Sequence, residues 1–199
     1  GGAAGELRIA NSGQRIETYQ FADGTTVAAI GYAAGRVTLW GTSGDDIING
    51  TNGSDTIYGG AGNDTIRAGS SGAGGAQYLY GDAGDDTYVY GTGHGNVFVM
   101  GESTTSGTRD RVLLTDRTLA DLTVGLRDYT ATADSAAGTA LVLGWTGDGG
   151  AAGELRLANS GQRIESYQFA DGTTVAAIGY TASTGRVTLW GTSGDDIIN

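Results

Sequence analysis

The sequence has no cysteine and no proline among its 199 residues, no lysine, and a single histidine. Without cysteine there are no disulfides, no zinc thiolate sites and no thiol nucleophile, so a chain outside the cell needs some other staple. Without lysine the Gly-rich turns cannot form a phosphate-binding P-loop. A formal charge of −11 argues against nucleic acid, whose phosphates need basic side chains to displace counterions. His94, in the text GTGHGN, reads as a surface turn residue. One histidine excludes an HExxH zinc protease here, and with no G-x-S-x-G elbow a histidine-backed triad is not expected. No run approaches about 18 consecutive apolar residues, and no basic stretch followed by an apolar one opens the chain, so membrane insertion is not expected.

What is present is glycine, 38 residues of it, with Val, Ile, Thr and Tyr spread through short runs and little leucine. That composition favours an all-β chain of many turns, long enough for one or two domains with a real core. It also repeats. The text 1–32 returns at 149–180 with only Ile9/Leu157 and Thr18/Ser166 different, and 35–49 returns at 185–199 after two extra residues near Ser183. The chain therefore reads as one unit of about 150 residues plus the first third of another, a window on a tandem array.

Inside the unit lies a shorter period. Gly41–Asn49, Gly50–Tyr58 and Gly59–Arg67 are in-register blocks of nine; after an insert AGSS come Gly72–Tyr80 and Gly81–Val89, then degenerate blocks at Thr92–Met100 and Thr105–Leu113. Glycines at positions one and four permit a tight turn and let carbonyls face a common centre. Position six is an acid, and the three residues from there form a short strand. Alternation sends position eight to the same side as position six, so Ile48, Ile57, Ile66, Leu79, Tyr88 and Val99 are the expected core. Carbonyls and carboxylates together suit a hard cation with about six to eight oxygen ligands, which is Ca²⁺. The spacing of an EF-hand is absent.

This pattern resembles the repeats-in-toxin (RTX) family of haemolysin-type calcium-binding repeats, G-G-x-G-x-D-x-U-x. The resemblance is strong over 41–100, and the text beyond, from DRVLLTDRTLADLTV to RIESYQFADGTTV, resembles the β domain that trails such repeats. It implies a parallel β-roll of nonapeptides followed by a mainly antiparallel β-rich module. The expected division is 1–40 as the end of a preceding unit, 41–113 as the roll, 114–190 as the trailing domain with a short helical turn at Thr118–Asp121, and 191–199 as the next roll.

The resemblance also implies the calcium ligands: Gly41, Thr42, Gly44 and Asp46; Gly50, Thr51, Gly53 and Asp55; Gly59, Gly60, Gly62 and Asp64; Gly81, Asp82, Gly84 and Asp86; Asp110; and Gly194 with Asp196 in the next copy. In that family two blocks complete one coil, so alternate blocks share an edge. One edge then carries Asp46, Asp64, Asp86 and Asp110, and is expected to hold about two good sites. The other carries Asp55, Gln77 and Val97, and is expected to bind weakly or not at all. Asp45 and Asp85, at position five, read as outward charge.

Residues 41–100 hold seven aspartates against one arginine. Such short Gly-rich strands bury little apolar area against a chain entropy of about 1–2 kcal/mol per residue, so the array is expected to need calcium to fold. Trp40, Trp190 and Trp145 read as packing at junctions, and Tyr58, Tyr78, Tyr80, Tyr88 and Tyr90 as ladders between coils. Glu154 and Glu165 read as partners of nearby arginines rather than as catalytic acids.

The functional expectation is a non-enzymatic, calcium-stabilised structural repeat of a large bacterial protein, exported by a type I route to the surface or medium as a filament, layer or adhesin stalk. Its expected partners are neighbouring copies of itself, with a glycan or surface ligand as a further one. Two alternatives stand beside it: a folding and secretion module of an RTX toxin or hydrolase, and a ligand-binding adhesin repeat.

Overall fold

The computed structural model describes residues 18–33, 36–70, 75–100, 109–129, 138–145, 153–158 and 164–192. The chain starts with two hairpins. Strands β1 (Tyr19–Gln20) and β2 (Thr26–Val27) pair antiparallel around Asp23-Gly24, where Gly24 supplies the left-handed backbone with φ 90°. Strands β3 (Ala29–Ala33) and β4 (Arg36–Trp40) form the second. The Trp40 ring lies over Gly31, which has no side chain to obstruct it.

From there the nonapeptides wind between two sheets. Strands β5 (Ile47–Asn49), β6 (Ser54–Ala61), β7 (Thr65–Arg67), β8 (Ala76–Ala83), β9 (Thr87–Tyr90), β10 (Asn96–Val99) and β11 (Arg111–Leu114) alternate sides. The even-numbered strands from β4 to β10 stack in parallel in one sheet, and the odd-numbered ones from β5 to β11 in the other. The register sets Ile48 beside Ile66 and Ile66 beside Tyr88, while Ile57 meets Leu79 and Leu79 meets Val99. All six position-eight side chains are at most 2% exposed, so each coil adds one layer to a narrow core. The AGSS insert falls between β7 and β8 and leaves the strand register undisturbed.

A 3₁₀ turn at Leu119–Asp121 then leads into the antiparallel strands β12 (Leu122–Tyr129) and β13 (Gly138–Trp145). Strand β14 (Leu155–Ala158) is antiparallel to β13 but parallel to β10, and β15 (Ser166–Gln168) is parallel to β11. The trailing segment thus returns to cover the β10 and β11 edges of the roll, satisfying backbone groups that a free edge would leave unpaired. Outside the 41–113 span expected for the roll, β4, β14 and β15 also pair in parallel with its strands. The chain closes with β16 (Thr174–Val175), β17 (Ala177–Thr181) and β18 (Arg186–Trp190), which repeat the opening hairpins.

Aromatic rings line the outer face of the first sheet. Tyr58 stacks on Tyr80 at 4.7 Å and Tyr78 on Phe98 at 5.0 Å, with Arg36 over Tyr78 and Arg156 over Phe98. Trp40 extends the first column, its ring 6.1 Å from Tyr58. Tyr88 and Tyr90 instead fill the core, where Trp145 stacks on Tyr90 at 5.5 Å.

Candidate metal centre

The parallel register places the position-six acids of alternate blocks directly above one another. Each backbone N–H then donates to the carboxylate one coil further on. The Asp46 N–H donates to Asp64 Oδ1 at 2.8 Å, that of Asp64 to Asp86 Oδ1 at 2.8 Å, and that of Asp86 to Asp110 Oδ1 at 2.8 Å. Glu165 closes the ladder by accepting the Asp110 N–H at 2.7 Å. The four aspartates are at most 4% exposed. A second, solvent-side ladder runs beside it at position five: the Asn63 N–H donates to Asp45 Oδ1 and the Asp85 N–H to Asn63 Oδ1.

The second oxygen of each buried acid distinguishes the blocks. In the first block Thr42 supplies both its N–H and its hydroxyl to Asp46 Oδ2, at 2.6 and 2.8 Å. Position two is glycine in the third block and aspartate in the fifth, so that hydroxyl is missing. Asp64 Oδ2 and Asp86 Oδ2 are buried with no hydrogen-bond partner. A side chain on Gly59 would strike both Asp64 Oδ2 and the Gly81 carbonyl, so a carboxylate and a carbonyl from neighbouring coils face the same small space. Asp86 Oδ2 likewise faces Gly81, beside the Tyr88 hydroxyl.

Electrostatics follow from this burial. Loss of water raises the Asp64 carboxyl from 3.8 to about 7, against the Asp46 N–H that lowers it, with Asp86, Asp46 and Asp45 adding repulsion. Asp86 is raised to about 6, again chiefly by burial. Burial also raises Asp82. Asp82 has φ 69° and pairs with Gly60 at φ 108°, the left-handed turn position that aspartate tolerates better than most residues.

The other edge is chemically different. Asp55 has both oxygens engaged by Thr51, whose N–H donates to Oδ2 and hydroxyl to Oδ1, each at 2.7 Å. One coil on, Gln77 replaces the acid, and its Nε2 donates to the Gly53 and Gly69 carbonyls at 2.9 Å each. An amide thus sits between two carbonyls on this edge, where the first edge has a bare carboxylate oxygen. Val97 fills the next position with an apolar, 1% exposed side chain.

Of the residues singled out from the sequence, Gly41, Thr42, Gly44 and Asp46, Gly59 to Asp64, Gly81 to Asp86 and Asp110 lie along the first edge. Gly50, Thr51, Gly53 and Asp55 lie along the second, already engaged as described. Gly194 and Asp196 are outside the described residues. Glu165 was read as a partner of an arginine, and Arg163 lies outside the described residues; Glu165 caps the acid ladder, a role for which its distance in sequence from Asp110 left no local signal. Glu154 does pair with Arg156 at 2.7 Å and Arg127 at 2.8 Å. His94 is half-buried and accepts the Gly91 N–H through Nδ1 at 3.2 Å.

Among the described residues no three acid or imidazole side chains gather at one point. A cation on the first edge would therefore draw most of its ligands from turn carbonyls, with Asp64 and Asp86 supplying charge. The all-oxygen donor set and the two unpartnered carboxylate oxygens fit calcium.

Fold and edge together define a parallel β-roll with an oxygen-lined, acidic flank. Residues 40–72, 71–97 and 180–199 match the family model of the RTX calcium-binding nonapeptide repeat, in four copies, so the chain carries repeats of the RTX type. Those repeats bind calcium, and proteins that carry them are typically exported. A comparison with curated proteins finds no match. No helix among the described residues is long and apolar enough to cross a membrane.

Proposed function

We propose that the chain is a calcium-stabilised structural repeat of a large bacterial protein displayed on the cell surface or released outside the cell, with no reaction of its own. The observation that carries this reading is the pair of buried, unpartnered oxygens on Asp64 and Asp86, each facing its own block's turn. Bound calcium would neutralise the first edge and complete the hydrogen-bonding deficit there. The Asp64 and Asp86 carboxylates would hold it, with the Gly81 carbonyl beside Asp64.

Coupling of this kind suits passage out of a cell. A chain that is loose at low internal calcium and stiff at millimolar calcium outside is easily threaded and then trapped. The near-identity of residues 1–32 and 149–180 supports a tandem array used as a stalk, layer or filament, since equal units present equal ends. The test is calorimetric titration of calcium into the chelator-treated chain, followed by far-UV circular dichroism. About two sites and a gain of β signal are expected. Heatless titration with an unchanged spectrum would refute the calcium reading.

A further inference from the structure

The repeated segment appears in this chain in two settings, and each copy lacks the contacts that the other makes. In the first copy β4 pairs in parallel with β6, and Thr25 Oγ1 accepts from the Asn49 backbone at 3.2 Å and side chain at 2.9 Å. This copy is therefore bound to the roll that follows it. In the second copy β18 pairs only with β17 among the described residues and Val187 is 41% exposed.

The contacts of Phe169 and Ile178 show the reverse. In the second copy Phe169 is 2% exposed and Ile178 is 7%, in one core cluster with Leu119. The Ala170 N–H donates to the Arg117 carbonyl at 2.9 Å, β15 lies along β11, and β17 touches β12. In the first copy the counterparts Phe21 and Ile30 are 46% and 44% exposed. With Val37, Leu39 and the Asn49–Thr51 turn of the following roll they line an open hollow of about 370 Å³, edged by Asp23 and Thr25. The internal geometry of the two copies is nevertheless the same: Phe21 N–H to Thr25 and Phe169 N–H to Thr173 are 2.9 and 2.8 Å, and Ala28 N–H to Trp40 and Ala176 N–H to Trp190 are 2.6 and 2.7 Å.

We propose that segment 18–40 is a two-sided joint whose Phe21–Ile30 face docks the residues corresponding to Arg117–Leu122 of a preceding copy of this unit, clamping successive rolls end to end without a loose linker. The occupant is given by the chain itself, because the second copy shows the same apolar face already covered by that turn. The β4–β6 pairing runs along a strand edge and leaves Phe21 and Ile30 46% and 44% exposed, so one copy can make both sets of contacts together. The joint rests on the tandem part of the proposed function and is independent of calcium.

The absence of native cysteine permits a direct test. Ile30→Cys and Ile178→Cys are made separately in the present chain, and Ile30→Cys also in a lengthened chain with residues 1–148 repeated immediately ahead of Gly1, which preserves the repeat register. The substitution goes into the inner joint. Thiol labelling at Ile30→Cys is expected to be fast in the present chain and at least about 10-fold slower in the lengthened one, approaching Ile178→Cys. An unchanged rate at the inner joint overturns the proposal. Small-angle scattering from the unsubstituted lengthened chain gives a second reading: one stiff rod is expected, and two independently tumbling bodies overturn the joint. Rates are compared in one buffer, so a failure of calcium to bind, seen in the titration above, would be distinguishable from a failure of the joint.

Discussion

Asp64→Asn should change sign with calcium. In chelator at pH 8, a folded chain must hold the Asp64 carboxylate ionised although burial raises its pKa from 3.8 to about 7. At about 1.4 kcal/mol per unit the shift corresponds to about 4 kcal/mol, and halving it for water near the edge gives a cost on the order of 2 kcal/mol. Asparagine removes that charge while its Oδ1 can still accept the Asp46 N–H. Its Nδ2 would face the Gly81 carbonyl, much as Gln77 Nε2 faces Gly53 and Gly69 on the other edge. The variant should therefore be more stable than the parent without calcium, by about 2 kcal/mol.

With calcium the order reverses, because the parent gains binding free energy that the variant largely loses. A site filled at about 100 times its dissociation constant contributes about 2.7 kcal/mol. The assay is urea unfolding of both proteins followed by circular dichroism, in chelator and in a few millimolar calcium. Equal destabilisation of the variant in both buffers would refute the reasoning, since it would make Asp64 a structural acceptor and nothing more.

The mirror substitution, Gln77→Glu, sets a carboxylate against the Gly53 and Gly69 carbonyls; it should cost about 2–4 kcal/mol in chelator and be partly rescued by calcium, as read from the same unfolding curves. For pH, the folded pKa values of about 7 at Asp64 and about 6 at Asp86 lie above the unfolded 3.8, so the folded state holds more protons. Their contribution is present in full below about pH 4 and is lost as pH rises through 6 and 7, so in chelator the melting temperature should be higher at pH 5 than at pH 8. Ile57→Ala, at a 0% exposed core position, should cost about 2–5 kcal/mol with calcium present, measured by urea midpoint.

The period of nine carried most of this fold because its two demands are local. Position eight must be apolar to fill a core one side chain thick, and Ile48, Ile57 and Ile66 announce it by spacing alone. The acid edge was legible for the same reason, since Asp46, Asp64 and Asp86 recur in alternate blocks. What the spacing could not convey is how each carboxylate divides its two oxygens. Thr42 and Thr51 stand at position two in plain view, yet their meaning depends on a hydroxyl reaching four residues on to Asp46 and Asp55, which only coordinates reveal. Glu165 was harder still, because it reaches Asp110 only after β12 to β14 have carried the chain out of the roll and back.

That return also explains how strands beyond residue 113 come to pair with the roll. The strands β12 and β13 form an antiparallel hairpin that pairs with neither β10 nor β11; two further strands, β14 and β15, return in the direction of the roll and cover those edges. Once β15 lies on β11, the segment after it is held against the end of the roll, with Phe169 sealed and β18 facing outward. The hairpin text that follows β14 is the same text that precedes β4, and in the proposed joint segment 18–40 would meet a roll on each side, which would account for residues 18–32 and 166–180 differing only at Thr18/Ser166.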